Sequence, residues 1–331
     1  MKILVTGSSG HLGEALVRSL NDTGHHQVLG IDLAPSVFTN AVGSIADRGF
    51  VRDCMRGVDA VLHTATLHKP HVATHSRQSF VDTNVSGTLN LLEEAVAAGA
   101  GKFIFSSTTS VFGDALTTPA GEPAVWVTEE VAPRPKNIYG ATKTAAEDLC
   151  QLFHRNHGLS CLVLRISRFF PEEDDQKETR NSYADGNAKA NEFLYRRVDI
   201  EDVVSAHLLA LERAVAIGFD KYIISATTPF TPDDLADLRA DAPAVLRRRL
   251  PEFEAVYAAR GWRMFPQIER VYVNERARTR LGWQPRYDFG HVLGCLRQAR
   301  DPRSPLAQAI GSKAYHSRSV AGSFAEGPYP V

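Results

Sequence analysis

At 331 residues, with a formal charge of −1 and 44% hydrophobic residues, the chain can bury a substantial core and carries no global field that would draw it to nucleic acid or an anionic membrane. Four cysteines, Cys54, Cys150, Cys161 and Cys295, lie apart with no CxxC pair, as expected of unpaired thiols in a reducing compartment. With neither a signal-peptide pattern nor an apolar run of membrane-spanning length, the chain reads as soluble and cytoplasmic.

In chain order, a strand over residues 2–5 runs into Thr6-Gly7-Ser8-Ser9-Gly10-His11-Leu12-Gly13. A helix follows with Leu12, Ala15, Leu16 and Leu20 on one face, then a strand over 27–31 ending at Asp32. Gly7 permits a tight strand-to-helix turn, Gly10 lets the backbone approach a pyrophosphate, and Gly13 lets the helix pack closely on the strand; the helix's free N–H groups and dipole favour phosphate charge. Asp32 stands where a carboxylate accepts hydrogen bonds from a ribose diol. A 2′-phosphate there would meet like charge, and neither Leu33 nor Ala34 supplies a cation, so the pattern predicts NAD rather than NADP.

Further parallel strands are predicted over 60–63, 103–106 and 161–166, alternating with helices over 87–98 and 139–154, which implies an α/β fold with a Rossmann-type doubly wound parallel sheet. The acidic run over 172–178 reads as a solvated loop. A strand-to-helix unit resumes over 197–203, with Asp199 or Asp202 as the cap, and 229–251 reads as one or two polar helices broken by proline. Residues 313–331, rich in Ser, Gly and Pro, read as a flexible tail or an arm laid on a partner subunit. The expected organisation is a cofactor-binding core with the catalytic residues over 1–170, a mixed segment over 171–312 that completes the core and forms a small substrate lobe, and the tail.

Tyr139 and Lys143, four residues apart, project from one helical face. An ammonium beside a phenol favours phenolate, so such a tyrosine can exchange a proton with an alcohol while hydride moves to or from nicotinamide. The strand over 103–106 runs into Ser106-Ser107-Thr108-Thr109-Ser110, a hydroxyl cluster at the end of the sheet where open α/β folds place ligands. A hydroxyl there can bond the substrate oxygen that Tyr139 protonates; a Ser/Thr-rich turn satisfying its own backbone is the other reading.

With these residues assembled, the chain resembles the extended short-chain dehydrogenase/reductase superfamily, particularly its NAD-dependent epimerase/dehydratase branch, over most of residues 1–215. The resemblance rests on the glycine turn, Asp32, His63-Thr64-Ala65-Thr66, Asn84 in Thr83-Asn84-Val85-Ser86-Gly87-Thr88, Ser106-Ser107-Thr108, Tyr139-x-x-x-Lys143, Arg165-Ile166-Ser167 and, further on, Leu281-Gly282-Trp283-x-Pro285. It implies that Tyr139 is the general acid/base, that Lys143 lowers its pKa while holding the nicotinamide ribose, and that Thr108 is the catalytic hydroxyl, with Ser106 and Ser107 nearer the cofactor. His11, Leu12, Thr64, Ala65, Thr66, Asn84 and Ile166 are then further cofactor contacts, and a homodimer through the 87–98 and 139–154 helices is expected.

Several positions depart from the family pattern. Gly43-Ser44-Ile45 stands where Gly-Asp-Ile/Leu is usual, so the adenine contact is expected to be weaker or different, with Ser44 and Ile45 as the cofactor contacts there. Thr109-Ser110 replaces the Asp-Glu pair that eliminates water in sugar 4,6-dehydratases, which makes that subclass unlike this chain. The segment that wraps a nucleotide diphosphate is short, and Tyr195 takes the place of an arginine common in nucleotide-sugar enzymes. Arg165-Ile166-Ser167-Arg168-Phe169-Phe170-Pro171 instead resembles the corresponding loop of the smaller uronate dehydrogenases. Arg168 then either binds a carboxylate or phosphate through its planar fork or pairs with Glu172 or Asp174. The expected substrate contacts are Thr108, Thr109, Ser110, Arg168 and Phe169. The loop His68-Lys69-Pro70-His71 is placed to close over substrate, and its histidines lack a third ligand, so no metal is expected.

The sequence thus points to an NAD-dependent oxidoreductase acting at a secondary hydroxyl of a sugar or nucleotide sugar, either as an epimerase that retains its ketone or as a dehydrogenase of a free sugar or uronate that releases NADH. The rival from another class is a catalytically silent NAD-binding sensor or scaffold.

Overall fold

Seven strands, all parallel, form the central sheet of the computed structural model, which describes residues 1–119 and 121–313. They are β1 (Lys2–Thr6), β2 (Gln27–Asp32), β3 (Ala41–Val42), β4 (Ala60–His63), β5 (Lys102–Thr108), β7 (Ser160–Ile166) and β8 (Phe219–Ile224), ordered β3-β2-β1-β4-β5-β7-β8. A separate parallel pair joins β6 (Val125–Val127) to β9 (Arg270–Tyr272). The fold is a doubly wound parallel α/β sheet, with the order reversing beside β1, where open sheets bind ligands.

Because both faces of a parallel sheet are covered, its strands read as unbroken apolar runs, and β4 and β7 are buried at every position. Alternate side chains serve opposite layers. Ile3, Val5, Leu62, Ile104 and Leu164 pack with the helices α1 (His11–Thr23) and α4 (Ile200–Ile217), whereas Leu4, Val61, Phe103 and Phe105 pack with α2 (Gly87–Ala98) and α3 (Ile138–His157). A third apolar cluster, including Leu194, Phe230, Leu238, Val245, Tyr257, Met264 and Phe289, holds together the segments outside the sheet.

Two expectations are corrected. Residues 197–199 form no strand, only an isolated bridge between Arg197 and Arg168, and α4 is capped by Asp199, whose carboxylate accepts from the Glu201 N–H at 2.8 Å. As expected, the polar segment after 229 is helical with a break near a proline: Leu235–Arg249 is kinked at Asp241, two residues before Pro243. The acidic run is only partly solvated: Glu173, Gln176, Lys177 and Glu178 are exposed, but Asp174 is buried, and Lys177–Ser182 is helical. Residues 314–331 of the expected tail lie outside the described residues. All four cysteines are buried free thiols, and no described helix is long and apolar enough to cross a membrane.

Candidate active site

The glycine turn owes its shape to contacts that side chains would block. Gly7 holds φ +72°, where a Cβ would lie 2.8 Å from the Ala65 nitrogen, and a Cβ on Gly13 would lie 1.9 Å from the Gly7 carbonyl oxygen. Gly10 caps α1 with no side-chain hydrogen bond, so the helix's first N–H groups remain for an anion. Asp32, at the end of β2, accepts from the N–H groups of Ser9 at 3.0 Å and Ala34 at 2.9 Å, which fixes its carboxylate beside the turn.

From this turn a cleft of about 740 Å³ extends across the carboxyl ends of the strands. It brings together Gly7, Gly10, His11, Leu12, Gly13 and Asp32 with Ser44, Ile45, Thr64, Ala65, Thr66, Ser106, Ser107 and Ile166. The residues assigned to chemistry and substrate, Thr108, Thr109, Ser110, Tyr139, Arg168 and Phe169, line the same cleft. Asn84 and Lys143 do not.

Asn84 sits in a π-helical turn, Val81–Ser86, and is 2% exposed. Its Oδ1 accepts from Leu67 N at 2.8 Å and Thr66 Oγ1 at 3.0 Å, while its amide donates to the Leu67 carbonyl at 2.9 Å and to Thr142 Oγ1 at 3.0 Å. With every hydrogen-bonding position used, the expected direct cofactor contact gives way to a brace between the 66–67 loop and α3. A second brace runs through His63. Thr6 Oγ1, which already accepts from the Thr64 and Ala65 N–H groups, donates to His63 Nδ1 at 2.8 Å; Nε2–H donates to Thr88 Oγ1 at 2.9 Å, and Thr88 donates to the Asn84 carbonyl at 2.7 Å. Burial, aided by the charge of Lys143, holds this imidazole neutral, well below its ordinary range.

Asn137 caps α3, its Oδ1 accepting from Gly140 N at 3.1 Å, and so sets Tyr139 in the first turn facing β5. Burial raises the phenol to about 12, opposed by the neighbouring Thr108 hydroxyl. The depression expected from Lys143 is absent. Its ammonium lies 4.1 Å from the centre of the Phe105 ring and is itself lowered to about 7 by burial. Burial is the leading cause for both groups.

The neighbouring serines have fixed orientations. His207 Nδ1–H donates to the Val203 carbonyl at 2.8 Å, so Nε2 accepts from Ser106 Oγ at 2.8 Å. Ser107 Oγ donates to Glu147 at 2.6 Å. Glu147, fully buried, also takes a forked pair from Arg165 (Nε at 3.1 Å, NH2 at 2.8 Å) and the Lys221 ammonium at 3.1 Å. Against the upward push of burial, Arg165 and Lys221 hold its carboxyl below the ordinary value. Sequence reading missed this group although Glu147 lies one helical repeat beyond Lys143, on the face that carries Tyr139.

Beyond Tyr139 the cleft ends against charged side chains. Arg168 donates through NH1 to Asp174 (2.5 Å) and Glu192 (2.8 Å) and through NH2 to Asp175 (2.6 Å). Of the two partners expected from sequence, only Asp174 is found; Glu172 instead accepts from Ser312 Oγ at 2.7 Å. Asp175 also takes the Lys69 ammonium at 2.8 Å, which ties the 68–71 loop to the acidic segment. In that loop His71 Nδ1 accepts from the His68 N–H at 3.0 Å.

The sequence over residues 3–224 matches the model of the NAD dependent epimerase/dehydratase family. The chain belongs to that family. Its relatives there include a UDP-glucose 4-epimerase of Streptomyces lividans, 26% identical over 321 residues that span 86% of this chain and 91% of that protein. An NAD-dependent glucose-6-phosphate dehydrogenase of Haloferax volcanii is 31% identical over 180 residues, 50% of this chain and 67% of that one. An uncharacterized protein of Sinorhizobium fredii is 34% identical over 167 residues, of which the chain spans only 39% of the length. Among solved structures, a short-chain dehydrogenase/reductase superfamily protein from Agrobacterium tumefaciens with bound NAD aligns over 98% of this chain and 100% of its own, with a TM-score of 0.64 and 24% identity. At that identity the likeness carries the fold alone.

Proposed function

We propose that this family member is an NAD-dependent oxidoreductase that transfers hydride at a secondary hydroxyl of a sugar or nucleotide sugar. The observation that carries the reading is the Thr108–Tyr139 hydroxyl pair, set at the end of β5 in a cleft continuous with the glycine turn. The glycine turn and Asp32 suit the pyrophosphate and adenosine ribose of NAD, with Ser44 and Ile45 on the adenine side. When bound, oxidised NAD supplies the hydride acceptor and a positive charge that favours phenolate. Tyr139 takes the hydroxyl proton at its phenolic oxygen, and Thr108 orients the reacting oxygen. Lys143, lowered to about 7, supplies the adjacent cation while protonated.

If the ketone turns over and recovers hydride on its other face, the reaction is an epimerisation; if it leaves, the reaction is a net dehydrogenation. The charge pairing around Arg168 favours the second reading, with a sugar that lacks a nucleotide. We also propose a homodimer through α2 and α3. Tyr139→Phe should lower kcat by about 10² to 10⁴ while leaving folding and NAD binding intact, read by NADH absorbance and by exchange between epimers. Retained turnover would remove Tyr139 as the acid/base.

A further inference from the structure

Resting on that reading, we infer that the substrate end of the cleft is built for an uncharged polyhydroxyl compound, a free sugar or a close derivative, and rejects phosphorylated, nucleotide-linked and uronate forms. The argument is one of charge already spent. Arg168 commits both terminal nitrogens to carboxylates. Arg196 shares two of these, reaching Glu192 at 2.7 Å and Asp174 at 3.2 Å, and Lys69 is held by Asp175. Behind them Arg197 pairs with Glu192 at 2.7 Å and donates to the Phe170 carbonyl at 2.9 Å.

These contacts form a lattice in which Glu192, held well below its ordinary range by three guanidiniums despite burial, joins Arg168, Arg196 and Arg197, while Arg196 Nε is buried without a partner. Arg270 lies across the cleft with Glu269 3.9 Å away. The segment that presents Asp174 and Asp175 to the cleft presents Glu172 and Glu173 as well. A phosphate or carboxylate reaching the terminal nitrogens of Arg168 would have to displace a protein carboxylate from them, and the displaced acid would remain beside it. A neutral diol needs no such exchange: side-by-side donor and acceptor edges of paired charges match hydroxyls, which both donate and accept.

The test uses the full chain loaded with NAD and matched sets of glucose and galactose as free sugars, uronates, 6-phosphates and UDP derivatives. Turnover is followed by NADH absorbance and by NMR for epimer exchange. The free sugar should exceed its anionic counterparts in kcat/KM by about a hundredfold, the order expected for an anion brought within ~6 Å of a carboxylate at an effective dielectric near 20. Asp175→Asn, which releases Lys69 and one arm of Arg168, should shrink that ratio by about tenfold through gain on the anionic members. A wild-type preference for any anionic member, or a ratio unmoved by Asp175→Asn, overturns the inference. Should no compound react, the proposed function fails first, and calorimetric titration of both proteins with glucuronate, glucose 6-phosphate and UDP decides the charge question. Anion binding confined to Asp175→Asn supports the inference; binding to the wild type, or to neither, overturns it.

Discussion

Glu147→Gln is the perturbation that best separates the structure from the sequence motif. The substitution keeps the side chain's size and removes its charge, leaving Arg165, whose side chain is 2% exposed, against a neutral amide. Breaking a buried pair from one side costs about 3–5 kcal/mol, because the remaining charge stays desolvated. Lys221 at 3.1 Å loses the same partner, and Ser107 loses the acceptor that orients it. Urea unfolding followed by tryptophan fluorescence should therefore show a lower midpoint with an unchanged slope. A double variant tests the mechanism rather than the site's general fragility. Glu147→Leu combined with Arg165→Met removes both charges, and such replacements range from neutral to stabilising, so this protein should be more stable than Glu147→Leu alone, with a coupling above about 1 kcal/mol. A loss below about 1 kcal/mol in Glu147→Gln, or strict additivity in the cycle, would refute the pairing argument.

Gly13→Ala would drive a Cβ to 1.9 Å from the Gly7 carbonyl oxygen, a backbone clash that no rotamer relieves. It should cost about 1–3 kcal/mol and abolish the thermal stabilisation that saturating NAD gives the wild type, seen as melts that coincide with and without NAD. Asp202 provides a pH test: burial lifts its carboxyl from 3.8 to about 6, against N–H bonds from Arg286 and Tyr287. With the folded value above the unfolded one, the group's stabilising contribution is full below about pH 4 and is lost as pH rises to about 6, on the order of 2–3 kcal/mol. His11 and His207, both lowered to about 4 by burial, push the opposite way over the same range. The quantity to measure is therefore the stability difference between wild type and Asp202→Asn. A difference constant across that interval refutes the shift.

The glycine turn and the central strands were legible because their determinants are local: steric room at Gly7 and Gly13, and unbroken apolar runs where a strand is covered on both faces. Tyr139 and Thr108 were legible for a related reason, each sitting at the end of a regular element whose direction fixes where its side chain goes. The strand β8 escaped notice because Asp220 and Lys221 interrupt its pattern, and the β6–β9 pair because its members lie more than a hundred residues apart. The charge lattice was hidden for a different reason. Acidic residues in a run suggest solvation, and only the backbone bridge between Arg168 and Arg197, which gathers Arg168 and Arg196 at one place, draws Asp174 inward. Asn84 was placed on the cofactor by motif; its four bonds to protein became visible only when Leu67 and Thr142 converged on it.

The direction in which Ser106 and Ser107 point their protons restricts what can lie above them. Each hydroxyl hydrogen is spent inward, on His207 and on Glu147, so the oxygens meet a guest with lone pairs only. An amide NH2 or a sugar O–H can be received there; a carbonyl oxygen finds no donor. This strand end is therefore polar in one sense, able to orient a ligand by that ligand's hydrogens.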